Sequence, residues 1–401
     1  MAHTARTPLV AALLVLVCAA VILPRFDPSP KPGYDPLGYF CYLPALFDGR
    51  PFDLNEFAVS ARPMFYREKI ETPRTVDPWG VGPAIGWLPF YALSDVTHPD
   101  LPHTAPPFWR ACAMGTVVFA LAGILLLFCA LAPRFGRFAA FAAALAALLC
   151  TPMLLYASRE PLFGHVFAFM LVSILMWSVA TRDLGQWHTW LVMGLACGLM
   201  ADTRPQLVLC VILPLAVRWP RARHLGLFGL GMLLAFFPQM LMWRMTFGRW
   251  LVIPQATLNH EFFHTPAVWQ VLFSPLHGLF PWHPLLLLGL VGLLLAALPV
   301  PGRRLALAAV AVFATQVVIN GAGHDWWGGW SFGGRRFTDM VPLLMLGVAN
   351  MVALSKAMIL PVALTAWWNF GLLWAWRGVV HPVAPLTWDA VRQIARHLIG
   401  L

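Results

Sequence analysis

Long apolar stretches alternate with short polar breaks along most of the chain. Apolar runs fall near residues 8–24, 108–132, 137–157, 162–180, 188–202, 205–218, 224–246, 282–299, 304–320, 337–355 and 357–376. An α-helix needs roughly 20 apolar residues to cross the hydrocarbon core, so the pattern predicts an all-α polytopic membrane protein with about eleven transmembrane helices. The runs 188–202 and 205–218 are short, which predicts steep helices or helices that stop below the surface. Gly80 to Leu93 is also apolar, but its Gly and Pro residues fit a re-entrant or interface-lying helix. The long break it sits in, residues 25–107, reads as a first outer loop carrying interfacial helices. Residues 1–376 then form one transmembrane unit, followed by a tail, 377–401. In the tail Trp388, Val391, Ile394 and Leu398 alternate with Asp389, Arg392 and Arg396, the pattern of an amphipathic helix lying on a membrane.

Charge gives the runs an orientation. With the N-terminus cytoplasmic, the inner breaks hold Arg6, Arg134, Arg137, Arg182, Arg218, Arg221, Arg223, Arg303, Arg304 and Lys356, with Asp183 the one acid among them. This satisfies the positive-inside rule at every break. Counting Gly80–Leu93 as a span would invert the pattern downstream. The pattern predicts a multi-pass membrane protein with its N-terminus in the cytoplasm.

Composition agrees: of 401 residues 60% are hydrophobic and 11% charged, against roughly 25% charged in soluble domains. The net charge of +10 is distributed by topology, with no basic tail, so no nucleic-acid partner is expected. Membrane lipids are. Of the seven cysteines, all but Cys41 lie in apolar runs and none forms C-x-x-C, which leaves them as small buried hydrophobes. The run 8–23 ends in Pro24-Arg25-Phe26, without a small-residue cleavage site, and reads as an uncleaved first helix.

The polar chemistry gathers in the outer breaks. Asp35 lies among Tyr34, Tyr39 and Tyr42 about ten residues past the first run; it suits a general base or, more plainly, a helix-start turn. Arg159-Glu160 is squeezed between two spans, as a functional pair or a self-satisfied ion pair. Arg204-Pro205 opens a helix, suiting a phosphate or snorkelling to headgroups. The segment His324-Asp325-Trp326-Trp327-Gly328-Gly329-Trp330-Ser331-Phe332-Gly333-Gly334 offers indoles and a carboxylate to a sugar face, and Arg335-Arg336 follows against the usual charge bias; an interfacial aromatic belt accounts for the tryptophans alone. His260-Glu261-x-x-His264 matches a zinc-protease pattern, but Thr265-Pro266 leaves at most two helical turns and no third ligand is identifiable.

Taken in order, these residues resemble the glycosyltransferase C superfamily, in particular bacterial members similar to dolichyl-phosphate-mannose protein mannosyltransferases and aminoarabinose transferases. The likeness rests on Asp35 after the first helix, the Pro-rich segment Gly82–Pro89, Arg110 opening the next span, Arg159-Glu160, Arg204-Pro205, and Arg335-Arg336-Phe337 with Pro342. Many relatives have Asp-Glu where this chain has Asp35-Pro36. The resemblance implies a hexosyltransferase-like enzyme that moves a sugar from a polyprenyl-phosphate carrier to a lipid, glycan or protein acceptor on the non-cytoplasmic face, with inversion. Asp35 and Glu160 are the expected catalytic residues, Glu160 either binding a divalent metal ion or orienting Arg159. The expected substrate-binding residues are Arg159, Arg204, Arg335, Arg336, Tyr39, His324, Asp325, Trp326 and Trp327. The alternatives are a lipid-linked sugar flippase and a membrane zinc protease using His260, Glu261 and His264.

Overall fold

The computed structural model describes residues 6–28, 33–57, 72–252, 264–297 and 303–400, and regular structure among them is helical. Six of these helices are long and apolar enough to cross a membrane: Thr7–Arg25, Pro106–Leu149, Ala222–Phe247, Arg303–Gly321, Arg335–Leu354 and Lys356–Ala375. Shorter apolar helices fall at His165–Thr181, Pro205–Val217 and Leu285–Ala296, and Trp187–Thr203 lies between the first two.

The 44-residue helix α1, Pro106–Leu149, is two helices joined at Gly136. Gly136 has φ 78° and ψ 160°, a backbone conformation open in practice to glycine alone, and Pro133 just before it removes a hydrogen-bond donor. The apolar runs 108–132 and 137–157 meet at this kink. The second run is itself interrupted: α1 ends at Leu149, and a short helix, α2, resumes at Met153–Ser158 after Pro152.

Where helices approach closely, glycines remove the side chains that would keep them apart. A Cβ on Gly347 would lie 1.8 Å from the carbonyl oxygen of Gly289, so Leu285–Ala296 and Val341–Leu354 meet backbone to backbone.

The apolar segment of the first outer loop forms a helix, α3, Gly82–Thr97, with Pro89 inside it. It is pinned by Trp87 Nε1 donating to Thr116 Oγ1 at 2.9 Å and by Val81 N–H donating to Gln239 Oε1 at 3.0 Å. Gly80 and Gly82 press on the backbone of Asp202 and Thr203, so the first long loop is seated on the end of Trp187–Thr203. The tail is helical at Trp388–Leu398. Thr387 caps Trp388–Leu398, and Ile394 and Leu398 pack against Gly371 of the last long helix, while Trp388 stays exposed. A glycine at the contact leaves a groove that these aliphatic side chains fill.

Candidate functional site

Four separate segments meet at one end of the bundle around a cavity of about 740 Å³. The first contributes Asp27, Tyr34 and Asp35; the turn after α2 contributes Arg159 and Glu160; the loop before Arg335–Leu354 contributes Asp325, Trp330 and Arg335; the segment after the last long helix contributes Arg377.

Asp35 stands in the first turn of a short helix, Tyr34–Phe40. Its Oδ2 accepts from Arg335 Nη2 at 2.9 Å. The Arg335 guanidinium lies over the Phe163 ring, 5.1 Å from its centroid, and its buried Nε has no hydrogen-bond partner. The adjacent Arg336 turns to another acid, Asp325, at 2.6 Å. One carboxylate oxygen of Asp325 is buried without a partner.

Arg159 and Glu160 do not pair with each other. Arg159 donates to the Leu373 carbonyl at 2.9 Å, whereas Glu160 accepts from Arg377 at 2.7 Å and from Trp376 Nε1 at 3.4 Å. The expectation that Glu160 orients Arg159 is therefore corrected. Their side chains diverge because the last long helix offers the Leu373 carbonyl to Arg159, while the segment after it offers Trp376 and Arg377 to Glu160. Burial raises the Glu160 carboxyl above its ordinary range, and the nearby Arg377 charge opposes part of that rise. Arg377 itself has φ 66°, an uncommon conformation for a side-chain-bearing residue. It is followed by Gly378 and held by its N–H donating to the Val380 carbonyl at 2.9 Å.

Arg204 is placed differently from expectation. It is buried beneath the cavity, and Nη1 donates to Asp339, to the Arg336 carbonyl at 2.8 Å and towards His165 Nδ1 at 3.3 Å. With the Gln206 amide turned so that its oxygen faces Arg204, that oxygen accepts from Nε and Nη2 at 3.1 and 2.6 Å. These partners leave Arg204 no free face towards the cavity, since a buried guanidinium must be satisfied by the protein around it. Tyr39 is buried, with its ring 6.4 Å from Trp79. Trp326 and Trp327 meet edge to face at 5.7 Å, and His324 is exposed; all lie outside the cavity lining. Trp330 lines the cavity in their place, because Gly328 and Gly329, at φ 83° and 67°, turn the loop between them.

Asp339 and Arg377 thus join the site unanticipated, while Trp330 comes from the indole segment read in the sequence as a sugar face. A signal existed for Asp339: it is the one acid in the run 337–355, and a charge within a span needs a partner.

Residues 260–263 of the H-E-x-x-H segment lie outside the described residues, and His264 is exposed. Among the described residues no three His, Cys, Asp or Glu side chains are grouped to hold a metal ion. Arg377 and Trp376 around Glu160 do not make a divalent-metal site.

Loops folded over the end of a helical bundle around such a cavity make a fold that this chain shares with a solved structure. This chain is similar to ArnT from Cupriavidus metallidurans. The apo structure matches with a TM-score of 0.56 at 17% identity, covering 93% of this chain and 69% of ArnT. The same protein bound to undecaprenyl phosphate matches with a TM-score of 0.53 at 16% identity, covering 97% and 73%. No family model and no curated protein matches the sequence. At this identity the likeness is one of fold.

Proposed function

We propose that the chain is a membrane glycosyltransferase that transfers a sugar from a polyprenyl-phosphate carrier to an acceptor in the cavity around Asp35. The observation that carries this reading is the Asp35–Arg335 pair, an acid and an arginine held 2.9 Å apart in a cavity of about 740 Å³. Support comes from the fold shared with ArnT, one of whose structures holds undecaprenyl phosphate.

In this reading Asp35 takes the proton of the acceptor hydroxyl as that oxygen attacks the anomeric carbon. The bond to the carrier phosphate breaks in line, which inverts the anomeric centre. Arg335, Arg159 and Arg377 face the departing phosphate and stabilise its growing charge, commonly the largest catalytic contribution in such transfers. Trp330 offers an indole face to the sugar. Arg204 acts from below as a positioning residue, holding Asp339 and the Arg336 backbone. The acceptor is a lipid, glycan or protein hydroxyl. The reading includes about eleven spans, a cytoplasmic N-terminus and a non-cytoplasmic cavity in the bacterial inner membrane, supported by basic residues at the opposite helix ends.

The test uses the purified protein in reconstituted membranes with a panel of radiolabelled polyprenyl-phosphate monosaccharides. Release of carrier lipid by the wild type, abolished in Asp35→Asn at equal protein, is the expected result. Equal release by both proteins would remove Asp35 from the chemistry; absence of both release and donor binding would remove the transferase reading.

A further inference from the structure

At the other end of the bundle a second cavity, about 680 Å³, opens between helix ends. Arg134 comes from the kink of α1, and Arg303 and Arg304 from the start of Arg303–Gly321. That 19-residue helix rises about 28 Å before entering the loop that builds the first cavity, so the two sites lie a helix length apart. The remaining walls are apolar, among them Ala130, Val179 and Leu346.

The charge here is unbalanced. No carboxylate lines the cavity, and among the described residues none of the three arginines pairs with an acid. Asp183, in a neighbouring turn, accepts instead from Gly185 N–H at 2.7 Å and from Gln186 at 3.2 Å. Arg134 lies over the Phe135 ring at 5.1 Å, leaving its N–H edge available. The positive-inside rule accounts for arginines at this end. It does not account for their convergence on one apolar-walled cavity without a counter-charge.

We infer that this cavity binds the phosphate of an anionic membrane lipid, with Arg134, Arg303 and Arg304 on the headgroup and an acyl chain along the apolar wall. Guanidinium forks match phosphate oxygens, and a basic pocket between helix ends at a membrane surface suits such a headgroup. A free phosphate shares the headgroup chemistry but has nothing to place against Ala130, Val179 and Leu346. The site is independent of the transferase reading.

Native mass spectrometry of the full chain in detergent tests this, with phosphatidylglycerol, phosphatidylcholine and inorganic phosphate as separate probes at matched ionic strength. The wild type is expected to prefer phosphatidylglycerol, to lose the preference as salt rises, and to keep the lipid against millimolar inorganic phosphate. Arg134→Gln, Arg303→Gln and Arg304→Gln should each weaken phosphatidylglycerol roughly fivefold, and Arg182→Gln, outside the cavity, should not. If a glutamine variant fails to assemble, Arg303→Lys with Arg304→Lys keeps the charge, and the salt dependence of the wild type still decides. Equal affinity for the two lipids, variants no weaker than Arg182→Gln, or full displacement by inorganic phosphate would overturn the assignment.

Discussion

Asp35 and Arg335 come from opposite ends of the sequence and meet at 2.9 Å, so each is tested through the other. Replacing Arg335 by Lys keeps the charge but loses the planar fork and the stacking on Phe163. In the reconstituted transfer assay, Arg335→Lys is expected to lower turnover by about 10- to 100-fold with the donor still bound. Unchanged turnover would show that a point charge suffices. Asp77 offers a stability test away from the cavity. Its carboxylate is buried, accepting from Trp79 N–H at 2.8 Å and Cys41 Sγ at 3.4 Å, and burial pushes its pKa well above the ordinary carboxylate range. The fold therefore favours the protonated form. The stabilisation is full below the unfolded-state value and is lost as pH rises through the raised folded value. The thermal midpoint in detergent should fall as pH climbs above the ordinary carboxylate range, and Asp77→Asn should flatten part of that slope. A wild-type midpoint that rises over the same range would contradict the buried acid. Asp35, Arg159, Glu160, Asp325 and Arg335 were legible in sequence because acids and arginines stand out between apolar runs. Arg377 was not, since it follows the last run and reads as the start of a tail.

At the scale of elements, the apolar runs correspond to helices because a bilayer leaves a backbone no other partner than itself. The interruptions are where local chemistry overrides length, as at Gly136 and at Pro152. The close crossing at Gly347 makes its own prediction. Gly347→Val would drive a side chain into the Gly289 carbonyl, 1.8 Å from where the Cβ must lie. The expected cost is about 1–3 kcal/mol, read as a lower thermal midpoint, whereas Gly226→Ala, inside a helix with open space around it, should not lower the midpoint. Comparable midpoints for the two variants would show that the helices separate freely there.

For the whole molecule, orientation is the prediction that binds the cavities to their faces. In intact cells a membrane-impermeant maleimide should label Asp53→Cys directly and Gln186→Cys only after permeabilisation, each against the parent protein as background. The reverse pattern would place the Asp35 cavity on the cytoplasmic side and turn the arginine cavity outwards. Loss of Arg377 acts at this scale too, because its segment closes one wall of the cavity. Arg377→Ala leaves the buried Glu160 with Trp376 alone, and transfer should fall at least about tenfold, since an unpaired buried charge is costly. Recovery in Arg377→Ala with Glu160→Gln would locate the cost in that unpaired charge; no recovery would assign Arg377 to the substrate.

The sequence by itself determined that the chain is a helical membrane protein, which breaks carry charge, and which acids and arginines could do chemistry. Those properties are local: run length, charge sign and turn residues are read one segment at a time. Only the tertiary structure decided the pairings. It gave Glu160 to Arg377 rather than Arg159, sealed Arg204 beneath the site against Asp339, and put Trp330 at the cavity in place of Trp326 and Trp327. Each of those outcomes depends on how distant helices bring their ends together, or on backbone turns at positive φ, and neither the 3.6-residue helical period nor the charge bias of loops encodes them.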